Sequence, residues 1–203
     1  MTSVSSAQDF SSSSPLNRLL LDIVRREGGF VAHPADTGGP TQWGISLRYA
    51  QGIGLDLDGD GDTDPDDVRA VTPAQAMALY RRDFYEAPGF AALPDSLAPV
   101  LVDWAVNSGP TRPVLALQRV LNALGQADPT AVGGHEPLVE DGRVGPRTAR
   151  AARAAVRTLG AALMMNALCD ERVAWLRALV ARRPSQRVFL AGWLARANGF
   201  RQS

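Results

Sequence analysis

The chain has almost no cysteine: Cys169 stands alone among 203 residues. That excludes an internal disulfide, and its place in the apolar run LMMNALCDE reads as a buried thiol. There is no excess of charge, with Lys plus Arg and Asp plus Glu both at 21, so nothing in the overall balance points to nucleic acid or an anionic membrane as partner. No apolar run reaches the roughly 18 residues of a membrane span, LGAALMMNALC being the nearest approach. The opening MTSVSSAQDFSSSS lacks the basic start and apolar stretch of a secretory leader, so residues 1–14 read as a disordered polar tail and the protein is expected to be made in the cytoplasm without a signal peptide. Histidine is scarce, His33 and His135 being isolated from each other. With no His-x-x-x-His pair, nucleophile elbow or phosphate loop, histidine-metal, serine acyl-transfer and P-loop chemistries have no carrier.

What is present is a succession of helices. SPLNRLLLDIVRREGGF opens on a capping residue and Pro15, sets Leu16, Leu19, Leu20, Ile23 and Val24 at helical spacing, and stops at Gly28 and Gly29. VAHPADTGGPTQWGIS is turn-rich and predicts a short irregular hairpin before a helical ISLRYAQGI segment. Thr72 and Pro73 cap a helix running through TPAQAMALYRRDFYEAPG. Further helices follow in LPDSLAPVLVDWAVNSGP and TRPVLALQRVLNALG, from Pro146 to about Leu159, through AALMMNALCDERVAWLRALVARR, and around QRVFLAGWLARA. The fold class is therefore mainly α, with one small hairpin beside the first helix. At 45% hydrophobic content, without repeats or a long linker, residues 15–104 and 105–203 are expected to pack as two lobes of one compact unit.

Glu27 falls in the last turn of the first helix, where the macrodipole disfavours an anion and suits a proton donor. The loop after it, REGGFVAHPADTGGPTQWGIS, carries Asp36 and Thr41. Cleavage of a glycosidic bond needs a protonated carboxyl at the leaving oxygen and a base or orienting hydroxyl for water on the other face, parts that Glu27, Asp36 and Thr41 can fill. A loop of this composition also serves as a simple turn. Without a second carboxylate poised as a close nucleophile, the expected outcome is inversion at the anomeric carbon.

Among the aromatic residues Trp43, Tyr49, Tyr80, Tyr85 and Trp104, each suits a sugar platform or a core position; Trp43 and Tyr85 are the candidates for substrate contact. Asp103 and Asn107, one helical turn apart, fit hydrogen bonding to hydroxyl or N-acetyl groups, and Asn107 fits a helix-end role equally. DLDGDGDTDPDD is a second signal. Counting Asp56 as position one puts Asp58, Asp60, Asp62 and Asp67 at positions three, five, seven and twelve of a calcium loop, with Gly61 at six and Asp64 at nine. Seven aspartates in twelve residues repel one another without a cation, so structural Ca²⁺ is expected, clamping residues 56–67 as an insert.

The residues from Arg26 to Ser46 resemble the glutamate-glycine-glycine signature of the glycoside hydrolase family 108 muramidases. The order Glu27, Asp36, Thr41 is also similar to the Glu, Asp, Thr arrangement of phage-type lysozymes, with one residue fewer between the last two. Further on, DWAVNSGPTRPVLALQRVLNALG and DGRVGPRTARAARA resemble the family's companion peptidoglycan-binding segment, with its Asn-x-Gly turn, Leu-Gln helix and Asp-Gly-x-x-Gly-Pro-x-Thr motif. Together the match runs from about Leu16 to Gly199. It implies a lysozyme-like α+β fold and a monomeric N-acetylmuramidase acting on peptidoglycan glycan strands, with Glu27 as general acid and no catalytic cofactor. A leaderless enzyme of this kind suits release by a holin, as an endolysin, or by a bacterial secretion system. Lytic transglycosylase activity and a non-catalytic peptidoglycan-binding module are the alternatives.

Overall fold

Ser14 starts the first helix by accepting the amide of Asn17 on its side chain, and Pro15 at the first helical position pre-sets the turn. The computed structural model describes residues 14–32, 39–134 and 136–203; Asp36, His33, His135 and most of the polar tail lie outside them. Helix α1 spans Pro15–Glu27 and ends at Gly28, whose φ of 77° is a conformation that glycine adopts without Cβ strain. Its apolar stripe, Leu16, Leu19, Leu20, Ile23 and Val24, is buried. A two-stranded antiparallel hairpin follows, β1 (Thr41–Gln42) and β2 (Ile45–Ser46), with Thr41 opposite Ser46 and Gln42 opposite Ile45.

Helix α2 (Leu47–Ile53) is capped by Ser46, and α3 (Pro65–Ala70) opens on a capping box in which Asp64 and Asp67 serve each other's backbone. That short helix was not anticipated from the sequence, because the aspartates that cap it also fit a cation loop. Helix α4 (Pro73–Arg81) packs on α1 through Ala76, Met77 and Tyr80. Arg81 Nη2 donates to Asn17 Oδ1 at 3.1 Å.

The helix expected to run on from Thr72 changes type at Arg82. Residues Arg82–Glu86 form a π-helical turn, with the amide of Ala87 donating to the carbonyl of Arg82 at 2.8 Å. The described chain divides into two compact units at this point, Met1–Arg81 and Arg82–Ser203. The sequence reading set the division after Trp104. In the structure α5 (Ala98–Ser108) belongs with the helices that follow it: Val100, Leu101, Val102, Trp104 and Ala105 bury it all round, against α6 (Thr111–Ala127) and α8 (Ala161–Arg182). Helix α7 (Pro146–Leu159) buries a row of alanines, and α9 (Leu190–Asn198) closes on α8. Cys169 is fully buried, as expected, and burial pushes its thiol up from the ordinary value. The result is a mainly helical, lysozyme-like fold with a single two-stranded sheet among the described residues. No helix among them is long and apolar enough to cross a membrane.

In the second unit, the Leu-Gln helix and the Asp-Gly-x-x-Gly-Pro-x-Thr loop meet. Gln118, 1% exposed, donates from Nε2 to Asp141 Oδ1 (2.8 Å) and to the carbonyl of Arg143 (3.1 Å), and accepts the amide of Gly142 on Oε1 (3.0 Å). The Gln118 bond, with the amide of Arg143, holds the Asp141 carboxyl below its ordinary value. The motif residues Gln118 and Asp141 thus set the loop that delivers Pro146 to the start of α7.

Candidate active site

The first unit assembles its site around the end of α1. Glu27 is the last residue of that helix and is exposed. The chain after it returns alongside: Val31 and Thr41 exchange two backbone hydrogen bonds of 2.9 Å, and the amide of Trp43 donates to the carbonyl of Gly28 at 3.0 Å. These bonds staple the hairpin to the helix end.

The two-residue hairpin turn is Trp43–Gly44. Both have positive φ, 51° and 81°, the pattern of a type I′ turn. Trp43 is the one non-glycine with positive φ among the described residues, an uncommon state for a bulky side chain that the stapling bonds maintain. Gly44 is required for a second reason. A Cβ built on it would stand 2.1 Å from the Tyr80 hydroxyl and 3.0 Å from Glu27 Cγ. The hairpin backbone therefore touches both side chains, and Glu27, Gly44 and Tyr80 form one cluster.

Tyr80 is 8% exposed. Burial, with the charge of Glu27 adding to it, pushes its hydroxyl up to about 12, so the phenol stays protonated at physiological pH. A neutral phenol in the same cluster brings polarity to the carboxyl without adding charge. Tyr80 was one of five aromatics in the sequence and nothing in its spacing singled it out; the Gly44 contact does.

Of the other predicted residues in this unit, Thr41 is half-buried in β1, its Oγ1 donating to the carbonyl of Gly39 at 3.4 Å, and Trp43 is half-buried at the hairpin tip. Asp36 falls outside the described residues. Tyr85, Asp103 and Asn107 belong to the second unit. Tyr85 is 8% exposed, a core position. Asp103 corrects the sequence reading. Its carboxylate is 1% exposed and accepts from Arg172 Nη1 at 2.8 Å and from Arg196 Nε and Nη2 at 3.0 and 2.8 Å. An anion so enclosed is the centre of an ion triad and offers no face to a sugar. Asn107 does have the helix-end role: its Nδ2 donates to the carbonyl of Asp103 at 2.6 Å.

The aspartate loop forms two groups whose carboxylate oxygens approach within 4.8 Å of one another, Asp56–Asp58–Asp60 and Asp62–Asp64–Asp67. The amides of Gly59 and Gly61 donate to the Asp56 carboxylate. Asp67 is fully buried and closes the loop, accepting the amides of Leu57, Asp58 and Asp64; the amides of Asp64 and Leu57 pull its carboxyl below the ordinary value. Asp58 and Asp62 move the other way. The amide of Asp60 draws Asp58 down, but partial desolvation and the charges of Asp60, Asp67 and Asp56 outweigh it. For Asp62 the charge of Asp60 is the largest cause.

Comparison with known proteins joins the two halves of this picture. Residues 20–109 match the family described as Glycosyl hydrolase 108. Over those residues the chain carries the domain of that family. Residues 112–198 match a second family, described as Predicted Peptidoglycan domain. The solved structure of Brucella abortus SagA is similar over 93% of this chain and 96% of that one, with 26% identity and a TM-score of 0.56. No curated protein matches the chain. A glycosyl hydrolase segment followed by a peptidoglycan segment makes the protein a glycoside hydrolase that acts on peptidoglycan, and Glu27, Gly44 and the hairpin all lie within the hydrolase match.

Proposed function

We propose that the protein is an N-acetylmuramidase, hydrolysing the β-1,4 bond between N-acetylmuramic acid and N-acetylglucosamine with Glu27 as general acid. One juxtaposition supports this reading: an exposed carboxyl at a helix end, bordered by the Gly44 backbone and the Tyr80 hydroxyl, inside the glycosidase segment. As the glycosidic C–O bond breaks, the leaving oxygen takes the Glu27 proton while water adds to the anomeric carbon and gives up its own proton to a base. Asp36 is that base in this proposal and Thr41 its water-orienting partner; both parts rest on the motif. Tyr80 borders the Glu27 carboxyl with a neutral hydroxyl, and Trp43 offers a ring for a sugar face. The reaction needs no catalytic cofactor.

The same proposal gives the aspartate loop a Ca²⁺ ion with a structural task. The donor set is all carboxylate oxygen, which suits this hard cation. Asp56, Asp58 and Asp60 would hold it, with Asp62 and Asp67 completing the loop. Mutual repulsion among Asp58, Asp60 and Asp62 supports the assignment, since a divalent cation relieves it. The enzyme works as a monomer on the cell wall, reached by holin-type or other non-classical release.

The test is mass analysis of products from purified sacculi. Muramidase action yields reducing N-acetylmuramic acid ends. Products lighter by one water would instead identify a lytic transglycosylase, and N-acetylglucosamine at the reducing end would overturn the bond assignment. A β-anomer as first product in an NMR time course would overturn inversion.

A further inference from the structure

The second unit contains a cavity of about 120 Å³ that takes no part in the chemistry at Glu27. It lies between the end of α5 (Asn107, Ser108), α8 (Arg172, Trp175, Leu176) and α9 (Trp193, Arg196). Its volume is close to that of an engineered cavity of about 150 Å³ known to hold a single benzene ring, so it fits a group of about six heavy atoms.

Three features of the lining define what such a group must be. The first is charge. Arg172 and Arg196 share one counter-ion, Asp103, so the triad carries one positive charge more than it neutralises. Arg172 is 4% exposed and reaches Asp103 through Nη1 alone. Burial draws its guanidinium below the ordinary value, with the charge of Arg196 adding to it. A third cation, Arg112, stands 5.0 Å over the Trp175 ring. The second feature is a set of donors: the Arg172 guanidinium lines the cavity and gives Asp103 only one of its N–H groups. The third is apolar surface: Leu176 and the faces of Trp175 and Trp193, the latter stacked on Phe189 at 5.6 Å.

We infer that this cavity binds the free α-carboxylate of a peptide ending in a small apolar residue. One carboxylate neutralises the surplus guanidinium charge and accepts from the N–H groups that Arg172 does not give to Asp103, and a methyl side chain meets the tryptophan faces. A terminal alanine has six heavy atoms, which matches the cavity. This rests on peptidoglycan being the substrate: its stem peptides end in D-alanine, so the second unit reads the peptide terminus while the first reads the glycan. Sacculi rich in free stem termini are then held more tightly than those whose termini are consumed in cross-links.

The probe is N-acetyl-D-alanyl-D-alanine, titrated into the full-length Glu27→Gln protein and followed by the indole N–H resonances in a ¹H–¹⁵N spectrum. The Trp175 indole resonance shifts saturably, and the C-terminal amide of the same dipeptide binds about tenfold or more weakly, the scale of a charge-assisted hydrogen bond. Trp193→Ala, a substitution at a partly exposed ring, weakens binding while leaving hydrolysis of soluble glycan fragments by the Glu27-containing enzyme unchanged. Equal affinity for acid and amide, or no shift at Trp175, overturns the inference. Hydrolysis by the parent enzyme is measured separately: hydrolysis without dipeptide binding defeats this inference alone, and dipeptide binding without hydrolysis defeats the muramidase reading alone.

Discussion

Glu27 and Asp103 are both helix-borne carboxylates, and both looked from the sequence like residues that meet a sugar. The fold treats them in opposite ways. Glu27 is exposed at the end of α1, with a backbone and a neutral phenol against it and Arg25 and Arg26 as the basic residues of its own turn. Asp103 sits mid-helix at 1% exposure, both oxygens held by arginines that follow it by 69 and 93 positions. A carboxylate whose lone pairs are all committed to fixed cations has nothing left for chemistry, whereas one bordered by a single neutral donor stays able to give and take a proton.

The comparison breaks most visibly at Asp103. Asp103→Ala leaves Arg172 buried without its counter-ion and should destabilise the protein by about 3–5 kcal/mol, read as a lowered midpoint in urea. A loss under about 1 kcal/mol would show that the triad is dispensable and its carboxylate is kept for another purpose.

The calcium loop gives the next largest effect. Ca²⁺ at 100 times its dissociation constant should add about 2.7 kcal/mol of stability, and chelator should lower the melting temperature while sparing activity at moderate temperature. Coincident melting curves with and without chelator would remove the ion from the account.

Tyr80 sharpens the Glu27 side. Tyr80→Phe should lower turnover by about tenfold through loss of the hydroxyl that borders the acid, with little change in KM. It also has a pH signature. The folded hydroxyl is raised from its ordinary 10 to about 12, so the native state holds this proton more tightly than the unfolded chain does. The stabilisation is complete below pH 10 and is lost as pH rises towards 12. The chain has no lysine and only three tyrosines, and the comparison with Tyr80→Phe cancels the raised thiol of Cys169. Parent and Tyr80→Phe melting temperatures should therefore converge or cross between pH 10 and 12; parallel curves would argue that Tyr80 is not the group responsible.

The helices were readable because their signals are local. Ser14 with Pro15, Thr72 with Pro73, and Pro146 mark their starts, and glycine at 28 and 160 marks two ends. The hairpin was readable from its turn residues, though the positive φ of Trp43 was not, since that strain is maintained by a bond to Gly28 that no local pattern encodes. What escaped the sequence is long-range. Asp103 meets Arg172 and Arg196 only through the packing of α5 against α8 and α9, so its one-turn spacing from Asn107 suggested a shared face that burial cancels. Tyr80 was one aromatic among several until the approach of Gly44 set it beside Glu27. The π turn at Arg82–Glu86 interrupts a helical pattern that continues unbroken in the sequence, which is why the unit boundary was placed later than it falls.

The central claim is that Glu27 supplies the proton, and the most direct measurement is the clearing rate of purified sacculi by Glu27→Gln beside the parent. Replacing an exposed carboxyl with its amide should leave the melting temperature and sacculus binding unchanged and cut turnover by about 100-fold or more. Clearing by the mutant at a rate near the parent's, with fold and binding intact, would contradict the account and move the acid elsewhere.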